Sequence, residues 1–327
     1  MSPILTQNEE ENSSTEIGLV RVPNLHVHTM AEDVLYHLGL GTLTHDLPAM
    51  FGDVKFVCVG GSASRMREFV GILCTKLALS ETVQDPIINL CGNNDRYSMY
   101  KAGPVLAASH GMGVPSMSIL LHELIKLLHH ARCRDVTVIR IGTSGGLGLE
   151  PGTVVVSRSA VDARFQPQME QMVLGKSVVR STELHAGLAA ELVACGRAVG
   201  GFQTVLGNTM CTHDFYEGQA RLDGAVCTYS HEEKLVYLRA AHEAGVCNIE
   251  MESSVFSVLC RLSGLQAGVV CVTLLDRLAG DQVSSPHDVL AEFARRPQHL
   301  VVELIRTRLS GLEKQRRDCA APGHAAP

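Results

Sequence analysis

Tryptophan is absent from this 327-residue chain, and aromatic residues make up only 4% of it. A core drawn from such a sequence must be aliphatic. Hydrophobic content of 46% is ample for one, and Val, Leu, Ile and Ala fill the apolar runs, as in a buried sheet covered by helices on both faces. Basic excess is missing too, with a net charge of -6. That disfavours nucleic acid as a partner, because phosphate-tracking surfaces need basic stripes. None of the eleven cysteines forms a CxxC pair. Several lie inside apolar runs such as Phe56-Val57-Cys58-Val59, which fits buried free thiols in a reducing compartment better than a disulfide framework. No apolar stretch reaches membrane-spanning length. The start lacks the basic region and apolar run of a secretory leader. The expectation is a soluble, cytosolic protein with no membrane or nucleic-acid partner.

No internal repeat or linker divides the chain. Its ends, 1–24 and 313–327, are polar or aperiodic and read as disordered, leaving one domain over 25–312. Within it, short apolar runs at 54–59, 105–109, 136–141, 153–156, 246–249 and 268–275 read as buried strands. Between them lie segments with helical spacing. Residues 64–78 repeat Met66, Phe69, Val70, Leu73 and Leu77. A helix with Pro115 near its first turn carries Met117, Leu120, Leu121, Leu124 and Leu128 on one face. Residues 183–195, 231–244, 252–263 and 286–309 are also helical. This alternation predicts an α/β fold: a single three-layer α/β/α domain around a mixed, mostly parallel sheet.

Strand ends in such sheets deliver side chains to a common edge where ligands bind. The first end reads Gly60-Gly61-Ser62-Ala63-Ser64-Arg65. Glycines let backbone N–H groups approach an anion, a following helix adds positive potential, and Arg65 adds a fork. The spacing is not GxGxxG with a later acid, so a small phosphate suits it better than a dinucleotide. Arg140 interrupts the apolar run Val138-Ile139-Arg140-Ile141. A buried arginine needs a partner: an anionic ligand, with Gly142 and Thr143 next to it, or a structural carboxylate. Arg96, in a polar segment, reads alone as a solvated surface residue. Glu250-Met251-Glu252 closes another strand and opens a helix. Its carboxylates suit the paired hydroxyls of a ribose, or serve as acids at a helix N-terminus.

The segment from Met210 to Gly224 holds Phe215, Gln219 and Arg221. Gln219 offers a donor and an acceptor, while Arg221 offers donors only. Together they match the acceptor–donor–acceptor edge of a pyrimidine-2,4-dione, with Phe215 against the ring face. A polar surface loop turning at Gly218 and Gly224 is the plainer alternative. The pairs His26/His28 and His129/His130 lack a second ligand cluster, so no metal site is expected. No GxSxG elbow is present.

Taken together, the stretches Phe51–Ser62, Ser109-His110-Gly111-Met112-Gly113, Ile139–Gly146, Asp214–Gln219 and Ile249–Ser254 resemble the nucleoside phosphorylase superfamily, and within it the vertebrate-type uridine phosphorylases. The resemblance is collinear from about Asn24 to about Leu309. It implies that Gly61, Arg65, Arg140 and Thr143 hold phosphate. It also implies that Arg96 and His37 reach across a homodimer to the neighbouring subunit's phosphate and ribose. Met251 and Glu252, with Glu250 nearby, would hold the ribose. Phe215, Gln219 and Arg221 would hold uracil, and Arg277 would support the base loop. Arg65, Arg96, Arg140, Gln219, Arg221 and Glu252 would carry the chemistry, with inorganic phosphate as co-substrate and no cofactor. Two positions depart from the family pattern: Ala220 stands where Gly is expected, and Asn93-Asn94 where Gly-Thr is expected.

The implied activity is reversible phosphorolysis of uridine, and of deoxyuridine, in pyrimidine salvage. The alternatives are a purine phosphorylase or nucleosidase, and a non-catalytic nucleoside-binding protein. In the purine branch of the resemblance an Asp stands where this chain has Arg277, and a hydrolase has no need of Arg65, Arg96 and Arg140.

Overall fold

Each apolar run becomes a strand in the computed structural model, which describes residues 18–77, 87–92 and 95–320. A short antiparallel pair, β1 (Val34–Leu35) and β2 (Leu40–Gly41), precedes helix α1 (Leu47–Phe51). Then follow β3 (Phe56–Gly60), α2 (Ala63–Leu77), β4 (Met99–Ala102), β5 (Val105–Ser109) and α3 (Gly113–His130). Next come β6 (Thr137–Gly146), β7 (Val154–Val161), the hairpin β8 (Gln168–Val173) and β9 (Lys176–Ser181), and α4 (Ala186–Val199). β10 (Thr204–Cys211), α5 (His231–Glu243), β11 (Val246–Glu250), α6 (Ser253–Leu262), β12 (Gln266–Asp276) and α7 (His287–Ala320) complete the chain.

The main sheet has eight strands in the order β11-β10-β7-β12-β6-β3-β5-β4. Neighbours run parallel except at β12–β7 and β5–β4. β6 is long enough to serve twice. Its first part pairs with β3 and β12, and its end, Gly145-Gly146, pairs antiparallel with β11. Alternation along each strand sorts side chains onto two faces. One face packs Val57, Val59 and Val138 against α1, α3 and α6, through Phe51, Met117, Leu120, Leu124 and Phe256. The other packs Cys58, Ile139 and Ile141 against α2, α4 and α7, through Phe69, Leu73, Leu192, Leu300 and Leu304. A third cluster joins α5 to β10 and β11 and includes Ala220. The architecture is the expected α/β, with helical layers on both sides of a mixed sheet.

The ends differ from the sequence reading. Leu19 forms a β-bridge with Arg134 and Val20 is buried at 2% exposure, so ordered contact begins within the stretch 1–24. Residues 1–17 lie outside the described residues. At the other end α7 runs on through Glu313 to Ala320. No Gly or Pro interrupts residues 312–320, and Glu313, Lys314, Arg316 and Arg317 are good helix formers. The strands β4, β8, β9 and β10 were not legible as apolar runs. Among the described residues, no helix is long and apolar enough to cross a membrane.

Candidate active site

β3 and β5 end beside Arg140 in the middle of β6, and β11, running antiparallel to the end of β6, brings Glu250 back to the same place, so the charged residues gather there. β3 stops at Gly60, and α2 begins at Ala63, which places Arg65 in the first turn of α2. Arg65 is partly buried and has no side-chain hydrogen bond among the described residues. Burial, then the nearby Arg140 charge, pushes its guanidinium below the ordinary arginine range. A methyl group added to Gly61 would lie 3.3 Å from Arg65 Nη2. The glycine thus keeps its backbone open beside the guanidinium.

Arg140 lies in β6, at 2% exposure, on the face covered by α3 and α6. Its Nη2 contacts Glu250 Oε2 at 2.9 Å and also donates to Glu252, and Nη1 donates to Cys271 Sγ at 2.9 Å. Burial opposes the charge, but the two carboxylates outweigh it and hold the guanidinium firmly protonated. Both readings of Arg140 are therefore compatible with the geometry: it has structural carboxylate partners, and it stands three positions before Thr143, which is partly exposed at the sheet edge.

The two glutamates diverge. Glu250 turns back on its own turn. Its carboxylate accepts from the N–H of Glu252 at 3.0 Å, from the N–H of Ser253 at 3.0 Å and from the Ser253 hydroxyl. Burial raises its pKa. Glu250 thus caps the start of α6 and braces Arg140, the helix N-terminal role that the sequence left open for one of the two. Glu252 instead accepts the Gly113 N–H at 2.6 Å. That N–H points across because Gly113 takes φ +83°, a conformation that favours glycine. Burial would raise the Glu252 pKa, but Arg140 and the Gly113 N–H lower it below the usual carboxylate range. Met251, between them, is partly exposed.

The base loop follows β10. A 3-10 turn at Glu217–Gln219 ends on Ala220 at φ 53°, ψ 43°. The backbone here does need a left-handed residue, and the chain supplies Ala where Gly would be free of strain. Gln219 is 3% exposed, and its side-chain amide makes no hydrogen bond among the described residues. Its carbonyl accepts from Arg277 Nη2 at 2.8 Å. Arg221 makes a two-pronged bond to Asp223, at 2.9 Å on each prong, and a further one to the Asp281 carbonyl. Nη1 of Arg221 is left over. Phe215 is 44% exposed, with the Arg221 guanidinium 4.4 Å from its ring centroid.

Residues 55–306 match the model of the phosphorylase superfamily. This chain belongs to that superfamily. The phosphorylase is 59% identical to uridine phosphorylase 1 of Mus musculus over 290 residues, spanning 89% of this chain and 93% of the relative. It is 58% identical to uridine phosphorylase 2 of Homo sapiens over 309 residues, spanning 94% of this chain and 97% of the relative. A solved uridine phosphorylase from Schistosoma mansoni, in complex with uracil, superposes with a TM-score of 0.82 at 43% identity, covering 87% of this chain and 98% of that one.

His37 and Arg96 lie in a separate patch of the phosphorylase. His37 Nδ1 is 2.6 Å from Glu123 Oε1, and its ring is 6.1 Å from that of Tyr97, next to the exposed Arg96. Asn93-Asn94 lie outside the described residues. Sequence reasoning missed several residues that hold the site. Glu123 takes the backbone N–H groups of His37 and Leu38. Asp281 joins Lys234 at 2.8 Å, Arg277 at 3.1 Å and the Leu222 N–H at 3.0 Å. His110 stands buried beside Gly61 and Arg65. Among the described residues no group of three metal-type ligands occurs. The broad hollow lined by Val20, Phe56, Thr137, Leu265 and Arg308 contains none of the candidate residues. Phe56 and Thr137 begin their strands, which puts that hollow at the end opposite the chemistry.

Proposed function

We propose that this phosphorylase catalyses reversible phosphorolysis of uridine, and of deoxyuridine, to uracil and the pentose 1-phosphate. The observation that carries the reading is the gathering of Gly61, Arg65, Arg140 and the Glu252 carboxylate, with Thr143 further along the Arg140 strand, while a separate loop holds Phe215, the amide of Gln219 and Arg221 Nη1. Anion, sugar and dione each have chemically matched groups. The solved relative in complex with uracil supports the choice of base.

In this mechanism a phosphate oxygen attacks C1′ as the glycosidic bond lengthens. The bonding pair leaves with uracil, and positive charge grows on the ribose. Arg65 and Arg140 orient the phosphate, whose own negative charge faces the developing cation. Glu252 accepts from ribose hydroxyls, and Met251 lies against the sugar. Gln219 and Arg221 take up the negative charge spreading over O2, N3 and O4, which is where preorganised donors act most strongly. Arg277 supports the loop from behind. The reaction uses phosphate as nucleophile and draws on no cofactor and no metal.

His37 and Arg96 complete the partner subunit's site in a homodimer, so each site has residues from both chains. Free buried thiols fit work in the cytosol, and the reaction belongs to pyrimidine salvage. The test is uracil release from uridine with and without inorganic phosphate. Phosphate-dependent formation of ribose 1-phosphate is expected; equal rates without phosphate would replace phosphorolysis by hydrolysis, and no turnover would leave a binding protein.

A further inference from the structure

His110 has no part in the mechanism so far, yet it is the most confined polar side chain near the anion-binding residues. It follows β5 by one residue and is 1% exposed. Its main chain is fixed at both ends: its N–H donates to the Gly60 carbonyl at 2.8 Å, and its own carbonyl accepts the Ser116 hydroxyl at 2.6 Å. The backbone from which the ring projects is therefore held in place.

Gly61 shows where that ring stands. A methyl on Gly61 would lie 3.3 Å from Arg65 Nη2 and 3.7 Å from His110 Cε1. The guanidinium and the imidazole thus flank the same glycine. Arg140 and Glu252 are the other charged groups close enough to act on the ring. Neither ring nitrogen has a hydrogen-bond partner among the described residues; the Gly111 peptide lies near but misses the geometry. A buried donor and acceptor left unpaired are unfavourable, and native cores rarely tolerate them without a ligand or water.

Burial, with Arg140 and Arg65 adding to it, pushes the His110 pKa down to about 3. The ring is neutral at physiological pH, with one N–H donor and one bare nitrogen. Hydrogen phosphate has complementary groups for both, since it carries acceptor oxygens and one O–H.

The geometry points to His110 as a further phosphate ligand, whose neutral imidazole donates its N–H to an oxygen of the anion held beside Gly61 and Arg65. A neutral donor orients the nucleophile without cancelling more of its charge, which a further cation at this position would do. This inference rests on the phosphate-dependent reading above.

The experiment measures affinity of the full-length protein for inorganic phosphate and for uracil, by calorimetry, in wild type, His110→Phe, His110→Asn and His110→Gln. Phe should weaken phosphate about tenfold, the scale of one lost hydrogen bond, with uracil affinity within about twofold. Asn and Gln place an amide near Nδ1 and Nε2 respectively, and the variant that recovers phosphate affinity identifies the donating nitrogen. Phosphate affinity unchanged in all three variants overturns the inference, as does an equal loss of phosphate and uracil affinity, which marks a purely structural ring. Where a variant fails to fold, the imidazole 15N signals of wild type decide: phosphate should fix one tautomer of His110, and unmoved signals overturn the inference. Uridine turnover without phosphate would instead refute the phosphorolysis reading, and the phosphate affinities would still report on His110.

Discussion

Arg277 holds the base loop through Gln219: its Nη2 donates to the Gln219 carbonyl at 2.8 Å, and its Nε donates to Asp281 at 3.1 Å. The loop's position is thus set by a guanidinium that is itself 0% exposed. Asp281 in turn neutralises Lys234, which is 3% exposed. Asp281→Ala should strand two buried cations and lose about 3–5 kcal/mol of stability in urea titration. Uridine KM should rise as the loop loosens. A loss below 1 kcal/mol would mean that water already reaches these charges.

Ala220 sits at φ 53° with its methyl in the third core cluster. The left-handed conformation costs an L-residue roughly 1–2 kcal/mol. The buried methyl returns about 0.8 kcal/mol, and Gly would add roughly 0.5–1 kcal/mol of backbone entropy cost. The effects nearly cancel, so Ala220→Gly should change stability by less than about 0.5 kcal/mol. Ala220→Val adds bulk and χ1 restriction at the same φ, and should lose roughly 1–3 kcal/mol. Thermal unfolding of the two variants checks the pair.

Base choice tests Gln219. Cytosine presents a donor at position 4 and an acceptor at N3, so donors would face donors. A site built on such bonds rejects the wrong partner by on the order of 10⁴-fold. Cytidine should be essentially uncleaved. Gln219→Ala should lose roughly 1–3 kcal/mol of transition-state binding for uridine and narrow the gap to cytidine. Unchanged kcat/KM for uridine would remove Gln219 from the base site.

Assembly is checked by mixing inactive Arg96→Ala and Glu252→Ala subunits. Each heterodimer should regain one intact site. No recovery after confirmed subunit exchange would argue against sites shared across subunits.

The pH dependence of stability follows from His110, which faces Arg65, Arg140 and Glu252. Its folded pKa, about 3, lies below the unfolded value. The neutral ring's contribution is therefore whole above the ordinary histidine value. It falls as pH drops toward the folded one, because only the unfolded chain takes up the proton, by up to about 1.4 kcal/mol per pH unit. His110→Phe should lack this component. Urea titrations between pH 7 and 4 should show the wild type losing stability faster than the variant.

What the sequence disclosed was whatever announces itself locally. Arg140 stands out because a charge interrupts an apolar run. Gln219 and Arg221 stand out because their chemistry is adjacent in the chain. Glu123 does not, because its partner His37 is 86 residues away. Asp281 and Lys234 are 47 apart. β10 hid because it carries Gly207, Asn208 and Thr209 with a register shift, and pairs buried Thr209 with Ser157 and Asn248. The β8–β9 hairpin hid because its residues are largely exposed and polar. Glu250 and Glu252 look alike in sequence and both hold Arg140, and only the turn between them separates a carboxylate that caps the start of α6 from one that takes the Gly113 N–H.

The double use of β6 has a consequence for redesign. Arg140 and Thr143 sit on one continuous strand clamped by β3, β12 and β11, so peptide geometry spaces them about 10 Å apart along the chain. That spacing acts as a covalent ruler which side-chain substitution cannot stretch. Reach toward a larger or smaller nucleoside has to come from the segment between Asp214 and Gly224, which is anchored by side chains and can be re-anchored. Selection for altered base preference should therefore accumulate changes in that segment and in Arg277 and Asp281 behind it, while leaving β6 untouched.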